Sequence, residues 1–113
     1  LDARIEACVA AGIDRSLIIL DPGIGFGKTV EHNLSLMKHL DDYAESGLPL
    51  LLGVSRKSFI GFLDDNAPAT DRLGGSLAAA LAGYSRGAAI LRIHDVAATR
   101  QALMIWRAIE DAA

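Results

Sequence analysis

Three short stretches of this 113-residue chain place residues capable of chemistry directly after apolar runs. The first is DPGIGFGKT, Asp21 to Thr29, behind the run Leu17 to Leu20. The Asp21 carboxylate can accept two hydrogen bonds from an amidine-like edge, such as that of a 2-aminopyrimidinone. The same residue type also closes turns by bonding its own backbone, so a structural Asp is an equal reading. Gly23, Gly25 and Gly27 let the chain turn sharply and let a ligand come close. The second stretch is LLGVSRKS, Leu51 to Ser58. Lys57 is a flexible point charge suited to a carbonyl oxygen or ring nitrogen. Ser58, at a helix start, suits an anion such as a carboxylate. A solvated basic turn is the plainer reading of Arg56 and Lys57. The third stretch is ILRIHDV, Ile90 to Val96. Strand alternation sets Arg92 and His94 on one side, where together they would make an oxyanion or phosphate clamp; a lone His there would more often be a satisfied core residue. Asp95 falls where it can cap the helix that follows.

Other chemistries fit less well. A P-loop needs G-x-x-x-x-G-K-[ST]; counting back from Gly27-Lys28-Thr29, its first glycine falls on Pro22. The dinucleotide fingerprint fails because Lys28 stands at the third glycine. His32 and His39 read as surface residues of a helix, and no set of His, Cys and carboxylates has metal-site spacing. The single cysteine, Cys8, sits among apolar neighbours and reads as a small buried hydrophobe.

The elements that must position these residues alternate. Residues 2 to 11 read as a helix with Ile5 and Val9 on one face, stopped at Gly12. Leu17 to Leu20 form a strand buried on both faces. A helix over 31 to 41 carries Leu34, Met37 and Leu40. A second buried strand runs from Leu50 to Val54, followed by a short helical turn over Ser58 to Leu63 and a polar loop over Asp64 to Asp71. Leu73, Leu77, Ala80, Leu81 and Tyr84 trace a helix that ends at Gly87. Ala88 to Ile93 form a third strand, and Val96 to Ala112 a last helix with Leu103, Trp106 and Ile109 inward. Apolar strands alternating with helices give parallel βα units, whose ligand sites lie at the carboxyl ends of the strands. All three chemical stretches fall there.

Composition narrows the function classes. Eleven Lys and Arg against 14 Asp and Glu give a net charge of −3, with no electrostatic case for nucleic acid or a membrane surface. No apolar run has the length of a membrane span, and the charged start suggests no signal peptide. The expected compartment is a reducing cytoplasm.

DPGIGFGKT, GVSRKSFIG and GGSLAAALAGYSRGAAILRIHDV, in this order and spacing, resemble the dihydropteroate synthases. The resemblance covers essentially the whole chain. It implies a TIM (β/α)8 barrel, of which residues 1–113 would be a partial domain: βα units 6–8 preceded by helix 5. It implies condensation of 6-hydroxymethyl-7,8-dihydropterin pyrophosphate with p-aminobenzoate, giving 7,8-dihydropteroate and pyrophosphate. On the family pattern Asp21, Lys57 and Arg92 would bind the pterin, and Arg92 and His94 the pyrophosphate. Lys57, Arg92 and His94 would carry the catalysis. Phe26 and Ser58 would serve p-aminobenzoate, while Gly25, Lys28, Ser55 and Arg56 shape the pocket. Magnesium is the implied cofactor, its ligand an Asn outside this stretch. An arc of three strands leaves open edges, so the implied partners, besides the two substrates, are the rest of the barrel or a second copy. Activity of the stretch alone is not expected. The competing readings are a folate-binding methyltransferase barrel, which needs no pyrophosphate clamp, and a non-catalytic assembly fragment.

Overall fold

The apolar runs do form a parallel sheet, but only its middle is fully covered. In the computed structural model, which describes residues 2–113, strand β1 (Leu51–Leu52) pairs in parallel with β2 (Ile90–Leu91), Leu51 opposite Ile90 and Leu52 opposite Leu91. Leu20 adds a single parallel bridge to Leu50 on the other side. Leu50, Leu52 and Val54 are completely buried, at 0% exposure each. The flanks are not: Leu17 is 76% exposed, and Ile19 and Ile90 also face outward.

Around the sheet lie α1 (Asp2–Ala10), α2 (Val30–Lys38), α3 (Leu40–Ala44), α4 (Ser58–Leu63), α5 (Leu73–Ser85) and α6 (Val96–Glu110). Helix α5 packs closely on the central strand because Gly83 has no side chain; a Cβ there would run into Leu52 Cδ2. Thr29 caps α2, its hydroxyl accepting from the His32 N–H at 3.2 Å. The result is a slab of 44 × 40 × 21 Å with a radius of gyration of 15.3 Å. A closed domain of this length would have a radius near about 13 Å. The excess reflects an arc rather than a sphere.

Several expected elements differ. The strands are shorter than 17–20, 50–54 and 88–93. Arg15–Leu17 turn as a 3-10 helix with Asp14 as cap, so only Leu20 reaches its partner strand. The segment 17–20 is not buried on both faces, because its outer edge pairs with nothing among the described residues. The helix expected over 31–41 breaks at His39. A three-residue spacing falls short of a 3.6-residue turn, so Leu34, Met37 and Leu40 drift off a common face; the break turns Leu40 into the core and leaves Leu34 exposed. The loop 64–71 contains a short 3-10 turn, Ala69–Asp71. In α1 Ile5 is buried but Val9 is exposed, and Cys8 is half-buried. In α6 Leu103 and Trp106 are half-buried, whereas Ile109 is 66% exposed. The apolar residues of α6 outnumber the surface that α5 offers them. No described helix is long and apolar enough to cross a membrane.

Candidate active site

Parallel pairing brings the three strand ends to one edge. There they enclose a cavity of about 160 Å³. The first strand end contributes Asp21, Ile24 and Phe26, the central one Gly53, Ser55 and Lys57, and the third Arg92, Ile93 and His94. Asp21, Lys57, Arg92 and His94, singled out from sequence, therefore share one cavity. Two fixed cations and an imidazole face one carboxylate, a polarity suited to a ligand that is neutral at one end and anionic at the other. Ligand pockets usually measure some 300–1,000 Å³, so these walls enclose only part of such a site.

The first strand end is held by its own residues. Asp21 Oδ1 accepts the Gly23 N–H at 2.8 Å, forming the turn, and Oδ2 has no hydrogen-bond partner among the described residues. Both readings of Asp21 are thus compatible: one oxygen closes the turn and the other stays available. The residue is exposed rather than buried, so its charge carries no heavy desolvation cost. Lys28 Nζ donates to the Gly23 carbonyl at 2.7 Å and to the Phe26 carbonyl at 3.2 Å, tying the loop from within. Gly25 adopts φ +87°, and a Cβ there would lie 3.2 Å from Lys57 Cδ; the glycine makes room for the lysine stem. Lys57 Nζ lies 4.3 Å from the centre of the Phe26 ring, a cation–π contact.

The third strand end is held by the central one. Ser55 Oγ accepts the His94 backbone N–H at 3.2 Å and lies 2.9 Å from His94 Nδ1. Arg56 takes a left-handed backbone, φ +56°, and does not line the cavity. Its guanidinium donates to both oxygens of Asp95, from Nη2 at 2.8 Å and from Nε at 3.3 Å. Those hydrogen bonds hold the Asp95 carboxyl below the usual carboxylate range and raise Arg56 further. Asp95 consequently does not cap α6 with its side chain, as the sequence suggested; it is spent on Arg56. The strained Arg56 backbone is itself pinned, its N–H donating to Ser76 Oγ at 2.8 Å and its carbonyl accepting from Arg72 Nη1 at 2.9 Å.

Not every expected site residue lines the cavity. Gly25, Lys28 and Arg56 act at one remove, through the contacts above. Ser58 is the first residue of α4, exposed, and outside the cavity wall. His32 and His39 are exposed on the α2 side, as expected. Asn33 was missed by sequence reasoning. It is buried in α2, and its Oδ1 accepts the Gly25 N–H at 2.9 Å, bracing the first loop. The signal was present: Asn33 lies four residues before Met37, on a helical face that is otherwise apolar, and a buried amide there requires a partner. Among the described residues no three of His, Cys, Asp and Glu gather as a metal cage.

Residues 1–94 match the family model described as "pterin binding enzyme". The chain is 56% identical over 112 residues to the dihydropteroate synthase of Neisseria meningitidis serogroup B, covering 96% of this chain and 39% of that protein. It is 46% identical over 105 residues to the Escherichia coli dihydropteroate synthase, covering 93% of this chain and 37% of that one. Among solved structures, the Xanthomonas albilineans dihydropteroate synthase with 4-aminobenzoic acid superposes with a TM-score of 0.96 at 45% identity, over 99% of this chain and 41% of that one. The same enzyme in complex with 7,8-dihydropteroate gives 0.95. The chain thus spans about two fifths of the length of the proteins it matches.

Proposed function

The chain belongs to the pterin-binding enzyme family, and from that premise we propose that it is part of a dihydropteroate synthase, a transferase joining a dihydropterin to p-aminobenzoate. One observation carries the reading: Asp21, Lys57, Arg92 and His94, from three separate strands, face a single cavity. In this reading the chain supplies strands six to eight of a TIM barrel, preceded by helix five, and further walls of the pocket come from elsewhere in the barrel. Its exposed apolar flanks and the small cavity support that division.

Asp21 accepts hydrogen bonds from the amino-pyrimidinone edge of the pterin through its free oxygen. Lys57 donates to the carbonyl side of the same ring, and Arg92 lies against its face. Arg92 and His94 hold the pyrophosphate. The bond between the hydroxymethyl carbon and the pyrophosphate oxygen breaks, its electron pair leaving with the pyrophosphate. The arylamine nitrogen attacks that carbon and then releases a proton. Charge builds on the leaving oxygens, where preformed donors are worth most. Phe26 lies against the aminobenzoate ring, held in place by Lys57. The exposed Ser58, beside this wall, meets the aminobenzoate carboxylate only if the substrate extends outward past Lys57. Ligands for magnesium lie outside this segment. No protein nucleophile is needed; orientation and electrostatics suffice.

The xanthomonad relatives solved with 4-aminobenzoic acid and with 7,8-dihydropteroate support the choice of substrates. A folate-binding methyltransferase barrel would leave the Arg92–His94 pair without a task. The test is formation of dihydropteroate by the complete protein from dihydropterin pyrophosphate and p-aminobenzoate, with no product from the 113-residue segment alone. Absence of product from the complete protein, or full turnover by the isolated segment, would refute the assignment.

A further inference from the structure

We propose that Ser55 is a positioning residue that sets the tautomer of His94, so that the imidazole presents an N–H to the anion even when neutral. The inference rests on the reading of the cavity as a pyrophosphate site, and it comes from the geometry of one hydroxyl. Ser55 is 6% exposed, at the end of the central strand. Its oxygen accepts the His94 backbone N–H at 3.2 Å and stands 2.9 Å from His94 Nδ1. The backbone N–H can only donate, so it takes up one lone pair of the hydroxyl. The hydroxyl proton then needs an acceptor, and among the described residues Nδ1 is the one within reach. A proton directed from Ser55 Oγ to Nδ1 leaves Nδ1 unprotonated. Neutral His94 must then carry its proton on Nε2, the nitrogen away from Ser55, on a ring that lines the cavity.

The consequence is chemical. An imidazole with Nε2 unprotonated would offer a lone pair to an anion and repel it. With Nε2–H fixed, His94 donates to an anionic oxygen in both its neutral and cationic forms. The charged groups around it are Arg92 and Asp95 on its own strand end, Arg56 and Lys57 from the central strand end, and Asp21 across the cavity. The Arg56–Asp95 pair neutralises itself, so the anion meets Arg92, Lys57 and His94. His39 offers an internal contrast: its Nδ1 lies 2.8 Å from the Ser35 carbonyl, which can only accept, so there Nδ1 holds the proton.

The experiment is nitrogen-15 NMR of the histidine rings in the complete protein, together with calorimetric titration of inorganic pyrophosphate, for the wild type, Ser55→Ala and His94→Gln. The His94 resonances are identified by their loss in His94→Gln. The wild type is expected to show Nε2–H at neutral His94, and Ser55→Ala a mixture of the two tautomers. Pyrophosphate affinity of Ser55→Ala should fall about tenfold, because the ring is then free to choose its tautomer. In a His94→Gln background the same substitution should change affinity less than about twofold, since an amide has no tautomer to set. Nδ1–H at His94 in the wild type, or an equal loss on Ser55→Ala in the His94→Gln background, would overturn the proposal. A wild type that holds Nε2–H yet binds no pyrophosphate would overturn it at the ligand, and the synthase reading with it, rather than at the serine.

Discussion

The two outer strand ends reach the same cavity by different means. Asp21–Thr29 is braced by residues close in sequence: Asp21 on Gly23, Lys28 on Gly23 and Phe26, Asn33 on Gly25. Arg92–Asp95 has local bonds only at its end, where the Asp95 carbonyl accepts from Thr99 at 3.0 and 2.8 Å, and otherwise hangs on the central strand end through Ser55 and Arg56. The first is therefore a local unit that needs little tertiary support. The second is shaped by contacts 39 residues away in sequence. A site divided this way can tune its two ends separately; on the proposed function, one would serve the neutral heterocycle and the other the anion.

The largest expected effect comes from the anionic end. If the chain acts as proposed, Arg92→Ala removes a donor that strengthens as charge develops on the leaving group, and should lower kcat/KM by about 100- to 1,000-fold, read in steady-state assays of the complete protein. At the opposite end, Asn33→Ala strips the Gly25 N–H of its buried acceptor. It should cost about 1–3 kcal/mol in urea unfolding and raise KM for p-aminobenzoate, while pyrophosphate affinity stays within about twofold. An equal loss of pyrophosphate affinity would erase the distinction between the two ends. Gly25→Ala tests their one point of exchange. It forces a side chain into a left-handed conformation at about 1–2 kcal/mol and presses on Lys57 Cδ. Here substrate affinity should suffer at both ends, because Lys57 belongs to the central strand end.

The smallest effect concerns pH. Asp95 is held below its ordinary range in the folded state, so the folded chain gives up this proton more readily than the unfolded chain does. The Arg56–Asp95 pair therefore contributes fully above the ordinary carboxylate range, and its contribution is lost as pH falls through that range and below it. Asp95→Asn should flatten this acid limb in thermal unfolding and leave stability near neutral pH little changed in its dependence on pH. A retained acid limb would assign it to other carboxylates.

What was legible in the sequence follows the same division. The first strand end was readable because its logic is local: glycines for the turn, an aspartate two residues before the N–H it accepts. The Ser58–Leu63 helix was readable with its bounds, since Lys57 and Ser58 sit where a strand must give way. The lengths of the strands were not, because pairing depends on neighbours along an edge that apolarity alone does not reveal. Asp95 does stand at the N-cap of α6, but its carboxylate does not cap the helix, because its partner, Arg56, lies far away in sequence. The same distance hid Ser55 beneath His94. Apolar residues of α6 looked inward on the helical pattern, yet the helix carries more of them than α5 can cover.

The direct test of the shared cavity is calorimetric titration of a dihydropterin pyrophosphate analogue into the complete protein, its Asp21→Ala form and its Arg92→Ala form. If one molecule spans both flanks, each substitution weakens the same binding event by at least about tenfold. Affinity unchanged in either variant would mean that the two strand ends do not grip a common ligand.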